Sequence, residues 1–200
     1  MDLAAAALTP IADPDAEARL DARLLTAARE GDGRAVAQLV DRHLGAVHRF
    51  AWRQLGESSE AEDVAQEVFL RLWQRRGVWQ AVGARLRTWL LEVTRNLCVD
   101  RLRQRRATVA PEDVALVDDG ADLQGRLEQV HVAQDLRTAL AALPERQRAA
   151  IALVHDEGLE QAAAAQVLGV SVDALESLLA RARRTLRTQL LGHGNGERAR

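Results

Sequence analysis

Apolar residues along this chain recur at three- and four-residue spacing in long runs, the pattern of amphipathic helices. Val36, Leu39, Val40, Leu44, Val47, Phe50, Ala51 and Leu55 make one stripe. Ala61, Val64, Ala65, Val68, Phe69, Leu72 and Trp73 make a second, and Leu86, Leu90, Val93 and Leu97 a third. Gly56-Glu57-Ser58-Ser59 breaks the first from the second, and Gly77 with Gly83 breaks the second from the third. The pattern predicts a helical domain over residues 24–106.

Residues 107–130 interrupt this periodicity. They hold Glu112, Asp113, Asp118, Asp119, Asp122 and Glu128 against Arg126 alone, with Pro111, Gly120 and Gly125. So acidic a stretch, poor in large apolar groups, cannot bury enough surface to fold by itself and reads as a flexible linker. Helical spacing resumes with Val132, Leu136, Leu140 and Leu143. Pro144 then stands at a helix start, where its missing N–H does no harm. Ile151 and Val154 continue the core face until Gly158. A short helix from Ala162 to Leu168 is followed by Gly169 as a left-handed turn and Ser171 as an N-cap. Val172, Leu175, Leu179, Ala182, Leu186 and Leu190 run down one face of a final helix, with Asp173 in its first turn. The chain therefore divides into a disordered acidic arm (1–23, with at most a short helix at its end), a helical domain (24–106), a linker (107–130), a helix-turn-helix domain (131–191) and a disordered tail (192–200). The expected fold class is all-α: two small helical domains joined by a flexible acidic linker.

Composition agrees with helix and narrows the partners. Ala, Leu and Arg dominate, and they lead the helix-propensity ranking. All 27 basic residues are arginine, which suits bidentate phosphate and base contacts. A G- and C-rich genome explains the same bias. The net charge of −2 argues against whole-surface nucleic-acid binding, so any such affinity must come from local patches. Residues 85–106 provide one, with seven arginines against Glu92 and Asp100. Such a cluster gains affinity by releasing counterions from nucleic acid. Trp89 within it is either a base-stacking platform or a core residue beside Leu90, and Trp79 is a second candidate of this kind.

Other chemistry is not legible. The single Cys98 sits among apolar residues and reads as a small buried hydrophobe. His43, His48, His131, His155 and His193 form no metal-ligand spacing, no nucleophile triad is apparent, and no glycine-rich phosphate loop occurs. No enzyme activity, cofactor or metal is expected. Leu3 to Leu8 lacks a basic lead and no segment has transmembrane length, so a cytoplasmic location is expected.

Three strings carry a family resemblance: Ala61-Glu62-Asp63-Val64-Ala65-Gln66-Glu67-Val68-Phe69-Leu70-Arg71-Leu72-Trp73, then Arg95-Asn96-Leu97 with Asp100-Arg101-Leu102, then Leu143-Pro144-Glu145-Arg146-Gln147-Arg148. In this order they resemble sigma-70 family factors of the extracytoplasmic-function (ECF) group. The resemblance implies a region-2 domain, a linker and a region-4 helix-turn-helix domain. It implies that Glu62, Asp63, Gln66, Glu67 and Arg71 dock on the clamp coiled coil of the RNA polymerase core, with a further contact at the core's flap. It implies that Arg85, Arg87, Trp89, Arg95, Asn96, Arg101, Arg103 and Arg105 serve the −10 element of promoter DNA, and Ser171, Asp173, Ala174, Glu176, Ser177, Arg181 and Arg184 the −35 element. An anti-sigma factor is a further implied partner, which would hold the protein at the inner membrane without its inserting there. Glu176 and Leu178 stand where many relatives carry basic residues. Glu176 either accepts from a cytosine N4 or weakens binding. Two other readings compete: a sigma-like decoy that only binds an anti-sigma protein, and an ordinary helix-turn-helix repressor. The arginine strip opposes the first, and the segment Ala61 to Trp73 is unexplained by the second.

Overall fold

The computed structural model describes residues 14–74, 86–108 and 136–194. Seven helices organise them: α1 (Pro14–Arg29), α2 (Gly33–Leu55), α3 (Ser58–Gln74), α4 (Leu86–Thr108), α5 (Glu145–Ile151), α6 (Gln161–Leu168) and α7 (Val172–Gly194). Residues 136–141 add a short helical stretch before α5. No strand occurs among the described residues.

Local signals set the helix ends. Asp32 accepts from the Arg34 N–H at 2.8 Å and so satisfies an orphan donor at the start of α2. Gly56 ends the same helix at φ 77°, its N–H donating to the Trp52 carbonyl. That left-handed turn sends α3 back along α2. Their facing stripes bury Leu39, Val47, Ala51 and Leu55 against Ala61, Val64, Ala65, Val68 and Leu72. Leu86, Leu90 and Cys98 of α4 complete this first core, with Trp52, Phe69, Trp73 and Trp89 packed at its margin.

The expected arm is shorter than the charge pattern implied. Residues 14–23 are helical, and α1 lays Leu24, Leu25 and Ala28 into the first core. The acidic charge that suggested a solvated arm is partly consumed inside. Asp21 is buried, its Oδ2 2.9 Å from His43 Nε2 and its Oδ1 accepting from Arg42 Nε at 3.0 Å. Residues 1–13 lie outside the described residues, as do the expected linker beyond Thr108 and the tail beyond Gly194. That tail begins later than expected, because α7 continues through Gly194.

The second domain is built around α5, α6 and α7. Leu143, Ile151, Leu153, Ala164, Leu168, Leu175, Leu179 and Ala182 form its core. Between α5 and α6 the backbone widens into a π-helical turn over Ala152–Asp156, with Glu157 N–H donating to the Ala152 carbonyl at 2.9 Å. Gly158 then leaves the helix at φ 62°. Phe50 and Leu91, from α2 and α4, are fully buried in this second core rather than the first. The two domains therefore share apolar contacts.

The Asp21 cluster sets the acid response of α1. Burial by itself raises the Asp21 carboxyl, but the hydrogen bonds and charges of His43 and Arg42 outweigh it and hold the group below its ordinary value. A depressed folded value means stability that is present at neutral pH and is lost as the pH falls through it. We predict that Asp21→Asn lowers stability at neutral pH by about 1–3 kcal/mol. The same change should flatten the loss of stability below about pH 4. Thermal melts of both proteins at stepped pH check this; equal midpoints at pH 7 would refute it.

Candidate protein- and nucleic-acid-binding faces

Helix α3 offers a continuous polar face. With Ala61, Val64, Ala65, Val68 and Leu72 turned into the core, Glu62, Asp63, Gln66, Leu70 and Arg71 are exposed and Glu67 is half-buried. Arg71 Nε donates to Glu67 Oε1 at 2.8 Å, one helical turn away. Ser58 Oγ donates to Glu62 Oε1 at 3.4 Å, and Asp63 Oδ2 stands 3.6 Å from Arg101 Nη1. Exposed pairs of this kind are worth about 0.2–1 kcal/mol, so they leave the side chains available to a partner. Leu70 lies among them, 49% exposed. Sequence reading left Leu70 out, although a leucine on an otherwise polar helix face was a visible signal for a contact anchor.

The arginine strip is divided rather than continuous. Arg105 folds back on the α2–α3 corner, where Nη1 donates to the Leu55 carbonyl at 3.1 Å and Nε to Glu60 Oε1 at 3.1 Å. Its Nη2 reaches Glu57 Oε2 at 3.4 Å. Arg101 Nη1 donates to the Glu60 carbonyl at 3.2 Å. Arg87 turns toward Glu157 of the second domain, and Arg106 toward Glu145. A guanidinium carries five donors on a long stem, so it readily closes onto carbonyls and carboxylates at the ends of neighbouring helices. Arg95, itself half-buried, donates to Asn96 Oδ1 at 3.0 Å, while Asn96 and Arg103 are exposed. Trp89 is half-buried at the edge of the first core and shows only part of its ring. Arg85 and Trp79 lie outside the described residues. Cys98 is buried as expected, and burial, the largest influence on it, pushes its thiol up to about 12.

Helices α6 and α7 make a helix-turn-helix. They meet at 92°, within the usual crossing of that motif. Gly169 turns the chain at φ 63°, and Ser171 Oγ accepts from the Ala174 N–H at 3.2 Å to start α7. With Leu175, Leu179 and Ala182 buried, Ser171, Asp173, Glu176, Ser177, Arg181 and Arg184 are exposed and Ala174 is half-buried. Leu178 packs against the second core, so only Glu176 of the two unusual positions faces outward. Arg181 Nε donates to the Ser177 carbonyl at 3.2 Å, and Arg183 Nη2 stands 3.4 Å from His155 Nε2. Among the described residues no group of three His, Cys, Asp or Glu side chains is arranged to hold a metal ion.

The sequence matches two family models, Sigma-70 region 2 over residues 39–108 and Sigma-70 region 4 over residues 133–186. The chain belongs to the sigma-70 family. Its curated relatives place it in the ECF group. It is 37% identical over 179 residues to the ECF RNA polymerase sigma factor SigM of Mycobacterium tuberculosis, covering 88% of this chain and 87% of that one. It is 27% identical over 173 residues to SigW of Bacillus subtilis, covering 81% and 92%. Among solved structures it is similar to CnrH in complex with the cytosolic domain of CnrY, at TM-score 0.63 and 32% identity over 86% of this chain and 98% of that one. It is also similar to RpoE in complex with the anti-sigma factor NepR from Bartonella quintana, at TM-score 0.60 and 27% identity over 77% and 95%. Regulation of transcription initiation is thus this sigma factor's activity, and nothing in these likenesses favours a decoy.

The two roles of the α4 arginines separate experimentally. Arg105→Ala should lower stability by about 1 kcal/mol, through the lost bonds to the α2–α3 corner. Arg103→Ala should leave the melting midpoint unchanged and reduce the salt slope of promoter binding by about one unit. Melts and salt-titrated binding of both variants check this; equal effects on both readouts would refute the division.

Proposed function

We propose that the exposed face of α3 is the docking surface for RNA polymerase core, at its clamp coiled coil, and that the second domain meets the core's flap. Glu62, Asp63, Gln66, Glu67 and Arg71 supply polar complementarity, and Leu70 is the apolar anchor that such a face needs at its centre. Arg95, Asn96 and Arg103, with the open part of Trp89, take the −10 element as its strands separate. Backbone charge and base stacking are the two contributions a single strand offers there. Arg87, Arg101 and Arg105 serve the same segment when released from their internal partners. On α7, Ser171, Asp173, Ala174, Glu176, Ser177, Arg181 and Arg184 face the −35 element, with the helix entering the major groove.

The observation that carries this reading is the adjacency of the two faces. Arg101 and Arg105 tie α4 directly to α3 through Asp63 and Glu60. A polymerase seated on α3 would therefore hold the arginine helix beside the emerging single strand. The two solved relatives named above are complexes, one with the cytosolic domain of CnrY and one with the anti-sigma factor NepR, and an anti-sigma factor is the corresponding partner proposed here. Its membrane attachment would hold the sigma factor at the inner face of the membrane until release. No single helix among the described residues is long and apolar enough to cross a membrane.

Asp63→Arg with Glu67→Arg should abolish co-purification with core polymerase and run-off transcription while leaving helicity by circular dichroism unchanged. Leu70→Asp should weaken core binding similarly. Undiminished pull-down by both variants would overturn the docking face.

Glu176 tests the reading of DNA. An unpaired carboxylate in the major groove is tolerable if it accepts from cytosine N4. Glu176→Ala should then lose discrimination at one base pair, worth about 1–3 kcal/mol. Binding-site selection with both proteins decides it: identical preferred sequences, with uniformly tighter binding by the variant, would mean that Glu176 only repels phosphate.

A further inference from the structure

Arg87, Arg101, Arg105 and Arg106 of α4 stand against carboxylates. Arg95 instead donates from Nη1 to the side-chain amide of its neighbour Asn96, 3.0 Å from Oδ1. Successive helix positions diverge by about 100°, so their side chains do not ordinarily meet. Here the long side chain of the half-buried Arg95 bends across to an exposed amide. A guanidinium has N–H donors and no acceptor, so the end of the amide that faces it must be the oxygen. The pairing therefore fixes which way round the Asn96 amide stands, with Oδ1 against Arg95 and Nδ2 away from it.

We propose that Arg95 is the positioning residue for Asn96, and that the pair selects a keto base, thymine or guanine, at one position of the −10 element. The proposal rests on the reading above that Asn96 meets that element. A free asparagine amide reads adenine, giving one N–H to the base and accepting another from it. Beside Arg95 that pairing is blocked. An adenine N6 amino group approaching Oδ1 would be brought against the guanidinium, donor against donor. What the pair presents is donors alone, the N–H groups of Nδ2 and those of Arg95 that remain free. Thymine O4 and guanine O6 accept from such a surface, whereas cytosine N4 and adenine N6 at the corresponding place are themselves donors. Because its partner is a neutral amide, Arg95 keeps its charge, which strengthens a hydrogen bond to a carbonyl oxygen.

The fixed orientation is what points to a base. A phosphate is reached as well by an amide that turns freely, and it carries no sequence. Only a base edge tells donor from acceptor. The exocyclic atoms concerned lie in the major groove of a paired base and on the Watson–Crick edge of an extruded one. The choice is therefore the same before and after the strands separate.

The test uses holoenzyme made from core polymerase and the full-length chain, selecting sites from promoters randomised across the −10 element. Wild type should enrich thymine or guanine about tenfold over adenine and cytosine at one position. Asn96→Ala should lose that preference, which locates the position. Arg95→Ala should let the amide turn and admit adenine there, cutting the discrimination against it about tenfold. Arg95→Lys, which still only donates, should keep the wild-type choice. Asn96→Asp keeps an acceptor for Arg95 and turns a second acceptor outward, so it should reverse the choice toward cytosine or adenine. Asn96 is exposed, so this variant decides even if Arg95→Ala fails to fold. Unchanged selection by Asn96→Ala would overturn the contact with the −10 element, and the proposal with it. A preference lost in Asn96→Ala but fully kept in Arg95→Ala, or a keto base still chosen by Asn96→Asp, would leave the contact standing and overturn the positioning by Arg95.

Discussion

Helix α2 carries apolar residues on two faces, and both must be buried at once. Leu39, Val47, Ala51 and Leu55 fill the first core, while Phe50, one position from Ala51, is fully buried in the second. Burying a phenylalanine is worth about 1.5–3 kcal/mol, and in this fold Phe50 obtains that only when the second domain docks. Leu91 of α4 does the same from the neighbouring helix. The architecture follows from this constraint, with α2 as the strut on which α1, α3 and α4 pack and against which α5 and the π-turn close.

Arginine chemistry then decides which surfaces stay free. Each guanidinium near a helix end meets a competitor, either a carbonyl left unpaired by the helix or a carboxylate on the next element. Arg105 closes the α2–α3 corner, Arg101 ties α4 to α3, and Arg49 and Arg87 converge on Glu157. Those that find no such competitor, Arg103 on α4 and Arg184 on α7, remain exposed. The nucleic-acid surface proposed above is thus what the internal network leaves over.

The α3 face proposed to dock on polymerase has a different basis. It survives because α3 buries one stripe so completely, with Ala61, Val64 and Val68 wholly inaccessible, that the opposite side has no structural work. Its ion pairs, one within α3 and one to Arg101 of α4, are exposed and weak, and Leu70 is apolar yet half exposed. A surface that is dispensable for folding, yet chemically specific, is suited to a partner.

Much of this was determined by the sequence alone. The helical stripes, the Gly56 and Gly169 turns, the Ser171 cap, the buried Cys98 and the polar face of α3 all follow from period, propensity and capping, which act over a few residues. The family was legible because its motifs are contiguous strings. Three features were not legible, and each depends on residues far apart in the chain. Residues 14–23 read as a solvated acidic arm because nothing local shows that Asp21 meets His43 and Arg42 across 21–22 positions. The arginines of residues 85–106 read as one basic strip because composition does not reveal which carboxylates fold against them. Phe50 looked like a member of one stripe, and only the packing of the second domain shows that it serves another core. Helical period specifies which face is apolar, but what covers that face, and which charges are neutralised in doing so, is decided by tertiary contacts.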